Sequence, residues 1–404
     1  MRVFTVLCLV VSMFGGGANA QNINGFDSWV ENTLWPRARA QGVSRDTFQT
    51  TIQDVSLDPN LPGLNPPSGN AAQSQSEFRH PQGYFNGGGL RSNTQIGRSL
   101  AQTHAATLRA VEGATGVPGH IILAIWGRES SFGRASIPHD AFDILATRAY
   151  LGRRSDYFTD ELVAAMQIVQ AGHVTPSQMR SSWAGALGQP QFMPSNFLRY
   201  AADGNGDGRR DIWGSEADTL ASIGAYLQAH GWRAGRDWGF EVSVPAEVSC
   251  TREGPDNGLS IADWETLGVT RVNGRDFPAV ERAEKGYLLM PAGRDGPAFI
   301  VTDNFYVLKR YNESDAYALF VGHVGDRIAY GSSDFNSSWG RGETIAAAQV
   351  LAMQNALVAG GHDVGGADGL VGFKTRRSIG AWQEANGQAA TCYPSNATIG
   401  AILR

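Results

Sequence analysis

Val117-Pro-Gly-His-Ile-Ile-Leu-Ala-Ile-Trp-Gly-Arg-Glu-Ser-Ser-Phe-Gly133 is the stretch on which the reading of this chain turns. Pro118 suits the first turn of a helix, where its missing N–H costs nothing. Ile121 to Trp126 is apolar on every face, which predicts a buried helix. Glu129 falls at the far end, and Gly133 just beyond is the expected stop. A carboxyl buried beside Trp126 and Phe132 resists ionisation, so its pKa rises. The carbonyl end of the helix repels negative charge and pushes the same way. A carboxylic acid kept protonated near neutrality can give its proton to a glycosidic oxygen. The plainer alternative is a Glu129 that is exposed, or paired with Arg128 or Arg134.

The rest of the chain narrows the class. It has 404 residues, with 42% hydrophobic and 18% charged, enough for two or three domains with ordinary cores. A net charge of -5 without a basic run argues against nucleic acid or an anionic membrane surface as a partner. Met1-Arg2, the apolar run from Val3 to Phe14 and Ala18-Asn19-Ala20 read as a cleavable export signal over residues 1–20. The run is short for a membrane span, and Cys8 lies inside it rather than after a lipobox. The expected location is the periplasm. Maturation leaves Cys250 and Cys392; export permits a bridge between them, and their separation in sequence leaves bridged and free forms both open.

Residues 21 to about 54 read as amphipathic helix, followed by a Pro/Gly strap beginning at Asp58-Pro-Asn-Leu-Pro-Gly. From Arg98 to Leu227 the pattern is helical: Leu100, His104, Leu108 and Val111 recur at helix spacing, as do Leu162, Val163, Met166 and Val169. These stripes are read as core, with His104 a packed or boundary residue. Between about 240 and 310 the pattern changes. Tyr287-Leu-Leu-Met and Ala298-Phe-Ile-Val-Thr read as strands around a Gly-rich turn, with Phe305-Tyr-Val-Leu following in the same β-containing insertion and a short helix at Ser260 to Leu267. Helix resumes from Tyr311 to Tyr330. Ser332 to Gly342 reads as a linker, and the tail as a separate helical unit.

Gly127-Arg-Glu-Ser-Ser-Phe-Gly resembles the catalytic motif of lytic murein transglycosylases of the membrane-bound lytic transglycosylase B family. Other pieces match in order: Tyr84, Asp143-Ile-Leu-Ala-Thr, Arg153-Arg154, Ser182-Trp-Ala-Gly-Ala-Leu-Gly-Gln-Pro-Gln-Phe-Met-Pro-Ser, Ala229-His-Gly-Trp, Tyr311-Asn312 and Tyr317. The resemblance implies cleavage of the MurNAc–GlcNAc β-1,4 bond of peptidoglycan without water. One carboxylate, matched by Glu129, serves as acid and then as base on the C6 hydroxyl, closing a 1,6-anhydro ring. It implies substrate contacts from Tyr84, Arg153, Arg154, Ser182, Gln191, Tyr311, Asn312 and Tyr317. Gln189-Pro190 departs from the Tyr-Gly that many relatives carry before the glutamine.

Asp203-Gly-Asn-Gly-Asp-Gly-Arg follows the start of an EF-hand-type calcium loop, with oxygen ligands expected from Asp203, Asn205, Asp207 and the Arg209 carbonyl. The twelfth position is Gly214, and related transglycosylases supply a later acid, a role that falls to Asp218 here. A cation-free Asx-rich turn is the alternative. Such an ion would be structural; catalysis calls for no cofactor. Ala348 to Leu357, the Asp368-Gly369 turn and Trp382-Gln383 resemble a three-helix peptidoglycan-binding module.

The expected architecture is mainly α (α+β): a lysozyme-like helical core with a small β subdomain over residues 21–335, and the binding module over 336–404. The expected partners are glycan strands and cell-wall synthesis or remodelling proteins, with the enzyme a monomer. Two rival readings remain at this point. A lysozyme-type hydrolase would recruit Asp140, Asp143 or Asp156 as a second acid. A wall-binding scaffold would need no acid at all.

Overall fold

The computed structural model describes residues 25–64, 80–85, 87–340 and 342–404. The export signal and Cys8 lie outside the described residues, as does the later part of the Pro/Gly strap. The central element is the helix Gly119–Ser130. Pro118 stands just before it in extended conformation as its N-cap. Ile121 to Trp126 are at most 1% exposed, so no face of this segment meets water. That burial requires neighbours on all sides. Gly88–Thr103, Glu216–Ala229 and Asp315–Tyr330 supply them. The last crosses closely at Gly325, where a Cβ would stand 2.9 Å from Ile121 Cδ1. Ala141–Leu151 and Ser155–Gln170 pack together as an antiparallel pair beside this group. The described start of the strap lies over Ala141–Leu151: Leu61 and Leu64 cover Ile144, and the Arg148 guanidinium donates to the carbonyls of Pro62 and Trp183.

The β subdomain is richer than its sequence suggested. Five antiparallel strands run in the spatial order Leu259–Ser260, Lys285–Leu289, Ala298–Val301, Gly239–Ser243 and Thr270–Arg271. The register sets Leu288 opposite Ile300 and Glu241 opposite Phe299. Phe240, Trp264, Leu288 and Ile300 form a core of their own. The short helix is Ile261–Thr266, capped by the Ser260 hydroxyl. One expectation is corrected here. Phe305-Tyr-Val-Leu does not belong to the β pattern but to the helix Asp303–Tyr311, which the Thr302 hydroxyl starts by accepting from the Asn304 N–H. A capping threonine directly after a strand ends the ladder and begins the helix.

The tail folds as three helices, Ala347–Ala359, Phe373–Ala385 and Asn396–Ile402, around Met353, Leu357, Ile379 and Ile399. Buried Gln354 accepts from the N–H groups of Asp368 and Gly369 and so fixes the marker turn. Gln383 does the same for Thr391 and Cys392. This unit does not hang free. Cys250 of the β subdomain is bridged to Cys392, with Cα atoms 6.1 Å apart, which closes the choice left open above. The linker is pinned too: Trp339 stacks on Phe85 at 4.9 Å, and Glu241 accepts from the backbone N–H groups of Asn336 and Ser337.

Candidate active site

The helix Gly119–Ser130 ends one residue after Glu129. Ser131, Phe132 and Gly133 follow with φ of 51°, 59° and 73°, a left-handed run that turns the chain sharply. Non-glycine residues hold that conformation only where neighbours enforce it. Here the Ser130 hydroxyl accepts the Gly133 N–H, and Phe132 lies against Trp126, 5.6 Å between ring centres. Gly127 is required at this place, since a Cβ would approach Asn93 Oδ1 and Phe132 Cζ to 2.5 Å each.

Glu129 is half-buried and pairs with neither Arg128 nor Arg134. Its Oε1 accepts a 2.5 Å hydrogen bond from the Tyr317 hydroxyl. Burial lifts its pKa to about 6, against the opposing pull of the Tyr317 hydrogen bond and of the Arg128 charge. The carbonyl end of the helix acts in the same direction as burial. Tyr317 and Tyr311 are pushed well above the usual phenol range by burial, and then by the nearby Glu129 charge, so both remain O–H donors. No second carboxylate among the described residues contributes to the ionisation of Glu129. The three named rivals are engaged elsewhere. Asp140 caps the helix Ala141–Leu151, Asp143 accepts the Ser56 N–H at 2.7 Å, and Asp156 pairs with Arg37.

The other site residues divide by position. Tyr317 and Tyr311 join Glu129 directly or through its field, and Tyr311 donates to the Pro190 carbonyl at 2.7 Å. Tyr84 lies under Arg128, whose guanidinium also covers Phe320. Asn312 is exposed and accepts the Ser314 N–H. Tyr84 and Asn312 both line a groove of about 1020 Å³ between the catalytic unit and the tail module; Glu129 itself is not in its wall. A second cavity of about 520 Å³ is lined by Phe132, Gly133 and Arg134 of the turn that follows Glu129, and by Gln189. Ser182 closes a tight turn by accepting the Ala186 N–H. Gln191 sits at φ 56°, its side chain donating to the Gly188 carbonyl. Arg153 and Arg154 are exposed on the turn before Ser155–Gln170, with Arg154 stacked on Tyr157 and Phe158 and no hydrogen bond to the Glu129 group among the described residues.

Two residues to which the sequence reading gave no role in the site turn out to shape it. Gln189 is 7% exposed, accepts the Trp126 indole N–H at 2.8 Å and donates to the Trp213 carbonyl. The dipeptide Gln189-Pro190 thus holds the acid helix through Trp126 and the end of the helix Asp303–Tyr311 through Tyr311. Arg128, stacked over Tyr84 and Phe320, is the cation among the described residues whose charge acts on the carboxyl. Gln189 was visible only as a departure from a motif; nothing in its sequence position reveals the indole it meets.

In the loop at Asp203, the Asp203 carboxylate accepts the N–H groups of Gly206, Asp207 and Gly208, and Asn205 and Asp207 fold over the same turn. Asp203, Asn205, Asp207 and the Arg209 carbonyl are hard oxygen donors of the type Ca²⁺ takes. The set carries few charges: no cluster of three or more His, Cys, Asp or Glu suited to a metal is found among the described residues. Asp218 has another task. It is fully buried, and its oxygens accept the N–H groups of Gly204, Asn205 and Asp211, which closes the loop from within.

Residues 25–326 match the family model described as the transglycosylase SLT domain. The chain belongs to this transglycosylase family. Residues 346–402 match the putative peptidoglycan binding domain. The chain is 29% identical to membrane-bound lytic murein transglycosylase B of Escherichia coli (strain K12), over 79% of its own length and 86% of that protein's. It is similar to SltB3 from Pseudomonas aeruginosa in complex with NAG-anhNAM-pentapeptide, at 35% identity and a TM-score of 0.83, covering 94% of this chain and 99% of that one. Soluble lytic transglycosylase SltB1 from the same organism aligns at 26% identity over 75% of this chain and 98% of its own, with a TM-score of 0.63. The lysozyme-like core and helical tail are therefore those of a lytic transglycosylase, a glycan lyase acting on peptidoglycan.

Proposed function

We propose that Glu129 performs both proton transfers of the cleavage. In the first, its carboxyl gives a proton to the oxygen linking MurNAc C1 to GlcNAc C4, and the C1–O bond breaks. In the second, the resulting carboxylate takes the proton from the C6 hydroxyl of the same MurNAc as O6 bonds to C1. The acid is regenerated, the 1,6-anhydro ring closes and no water enters. An intramolecular hydroxyl competes well with solvent because its effective concentration is high. The observation that carries this reading is the half-buried carboxyl with a pKa near 6, hydrogen-bonded by Tyr317, with no second carboxylate among the described residues acting on it. Tyr317 occupies Oε1, which leaves the other carboxyl oxygen for the sugar. Tyr84 and Asn312 in the groove wall, with Ser182 and Gln191 on their own turns, are the proposed sugar contacts. Glu129→Gln should abolish lysis of sacculi while melting as a folded protein; retained lysis overturns the assignment.

The calcium loop is part of the same reading. Asp203, Asn205, Asp207 and the Arg209 carbonyl would hold a structural Ca²⁺, with Asp218 shaping the loop. Calcium titration should raise the melting temperature of the wild type and not of Asp207→Ala; equal responses would remove the site. Residues 1–20 as an export signal and the periplasm as the place of action are supported by the Cys250–Cys392 bridge, which needs an oxidising compartment. No helix among the described residues is long and apolar enough to cross a membrane.

A further inference from the structure

The tail module reaches the catalytic turn through one buried arginine. Arg376, on Phe373–Ala385, is 2% exposed. Its Nη2 donates to Glu253 at 2.6 Å and to Asp315 at 2.9 Å, its Nε donates to Glu253 at 2.9 Å, and its Nη1 donates to the Val371 carbonyl. Glu253 is fully buried and also accepts the Met290 N–H. Burial drives the Glu253 carboxyl up, opposed by Arg376. For Asp315, burial is outweighed by the charges of Lys309 and Arg376, which hold it down. Removing one member of such a group leaves an uncompensated buried charge, which is more costly than losing a surface pair.

Asp315 is not a distant residue. It opens the helix Asp315–Tyr330, two positions before Tyr317, and the Ser314 cap accepts the Tyr317 N–H. Its second oxygen accepts from Lys309 at 2.6 Å, on the helix that ends at Tyr311. The Lys309–Asp315 pair therefore spans the base of the turn that carries Tyr311, Asn312 and, just beyond it, Tyr317. Arg376 clamps that base from outside. Nearby, Arg377 pairs with Asp256, and the disulfide holds the same two units together.

We infer that Arg376 is a positioning residue for cleavage: the tail module completes the active site by fixing, through Asp315, the turn that sets Tyr317 against Glu129. The module is then a working part of the catalytic unit besides an attachment to the wall. The inference rests on Glu129 being the acid and base. The charged and titratable groups facing Glu129 are Arg128 on its own helix and Tyr311 and Tyr317 from the clamped turn. The clamp acts on the last two.

The test uses the full oxidised chain and a short soluble oligomer of alternating GlcNAc and MurNAc, for which wall attachment is irrelevant. Arg376→Gln should lower kcat by about 10- to 100-fold, the scale of a small misplacement at a reacting group, with KM little changed. The alkaline limb of its pH profile should move upward as the Tyr317 hydrogen bond to Glu129 weakens. Asp315→Asn should do the same from the catalytic side and decides the matter if Arg376→Gln does not fold. Arg376→Lys should restore part of kcat. Arg377→Ala, at the same interface but outside the clamp, should keep kcat. The inference is overturned if Arg376→Gln and Asp315→Asn melt lower or bind sacculi less well yet keep kcat and pH profile on the soluble oligomer. Activity in Glu129→Gln run alongside would instead bring down the reading of Glu129 itself.

Discussion

Replacing Tyr317 by Phe removes a single oxygen and asks what the phenol does for Glu129. The ring is 2% exposed, so the Phe variant keeps its packing, and the loss is the 2.5 Å hydrogen bond to Oε1. A hydrogen bond to a charged acceptor is worth about 1.5–3 kcal/mol, which corresponds to about 1–2 pKa units. That bond favours the carboxylate, so its removal raises the Glu129 pKa from about 6. The free enzyme needs protonated Glu129 to begin the reaction, so kcat/KM falls as pH rises through this pKa. In Tyr317→Phe the alkaline limb should move upward by about one to two units. The plateau kcat should drop, because the acid is no longer held in one orientation. Initial rates on a soluble glycan oligomer between pH 4 and pH 9 read both effects. A limb that stays in place or moves down would refute the claim that Tyr317 tunes Glu129.

Glu129 also couples stability to pH. Its folded pKa of about 6 lies above the ordinary 4.5, so the folded state holds the extra proton and stability is lost as pH rises between the two values. Glu129→Gln should therefore be more stable than the wild type at pH 7.5, by about 2 kcal/mol at most, and near parity at pH 4 in urea melts. Breaking the Cys250–Cys392 bridge with serines should cost about 3–5 kcal/mol, given a separation of 142 residues, and the addition of reductant should lower the melting temperature of the wild type alone. Gln189→Leu should cost about 1–3 kcal/mol by stranding the Trp126 indole N–H in the core, and should lower kcat as the acid helix loosens; denaturant melts and single-point rates measure each.

What was legible in the sequence was whatever local chemistry determines. The apolar run Ile121 to Trp126, with Pro118 before it and Gly133 after it, read as a buried helix, and a glutamate at its end inherits that burial. Ser260 to Leu267 read as a short helix, and Gly369 with Asp368 marked the turn that Gln354 holds. Strands of two residues, such as Leu259–Ser260 and Thr270–Arg271, carry no period to detect. Phe305-Tyr-Val-Leu reads equally well as strand or buried helix, and the deciding signal was the Thr302 cap. Long-range pairings were out of reach: Gln189 with Trp126, Arg376 with Glu253 and Asp315, and the docking of the tail depend on residues tens to more than a hundred positions apart. The same holds for Asp218, whose spacing suggested a cation ligand and whose burial makes it the closer of its own loop.

The most direct test of one carboxyl acting without water is cleavage of sacculi in oxygen-18 water, with the products weighed by mass spectrometry. The account predicts muropeptides lighter than hydrolysed ones by one water and free of the heavy isotope, in the wild type and not in Glu129→Gln. Reducing-end products carrying oxygen-18 would contradict it and call for a second acid beside Glu129.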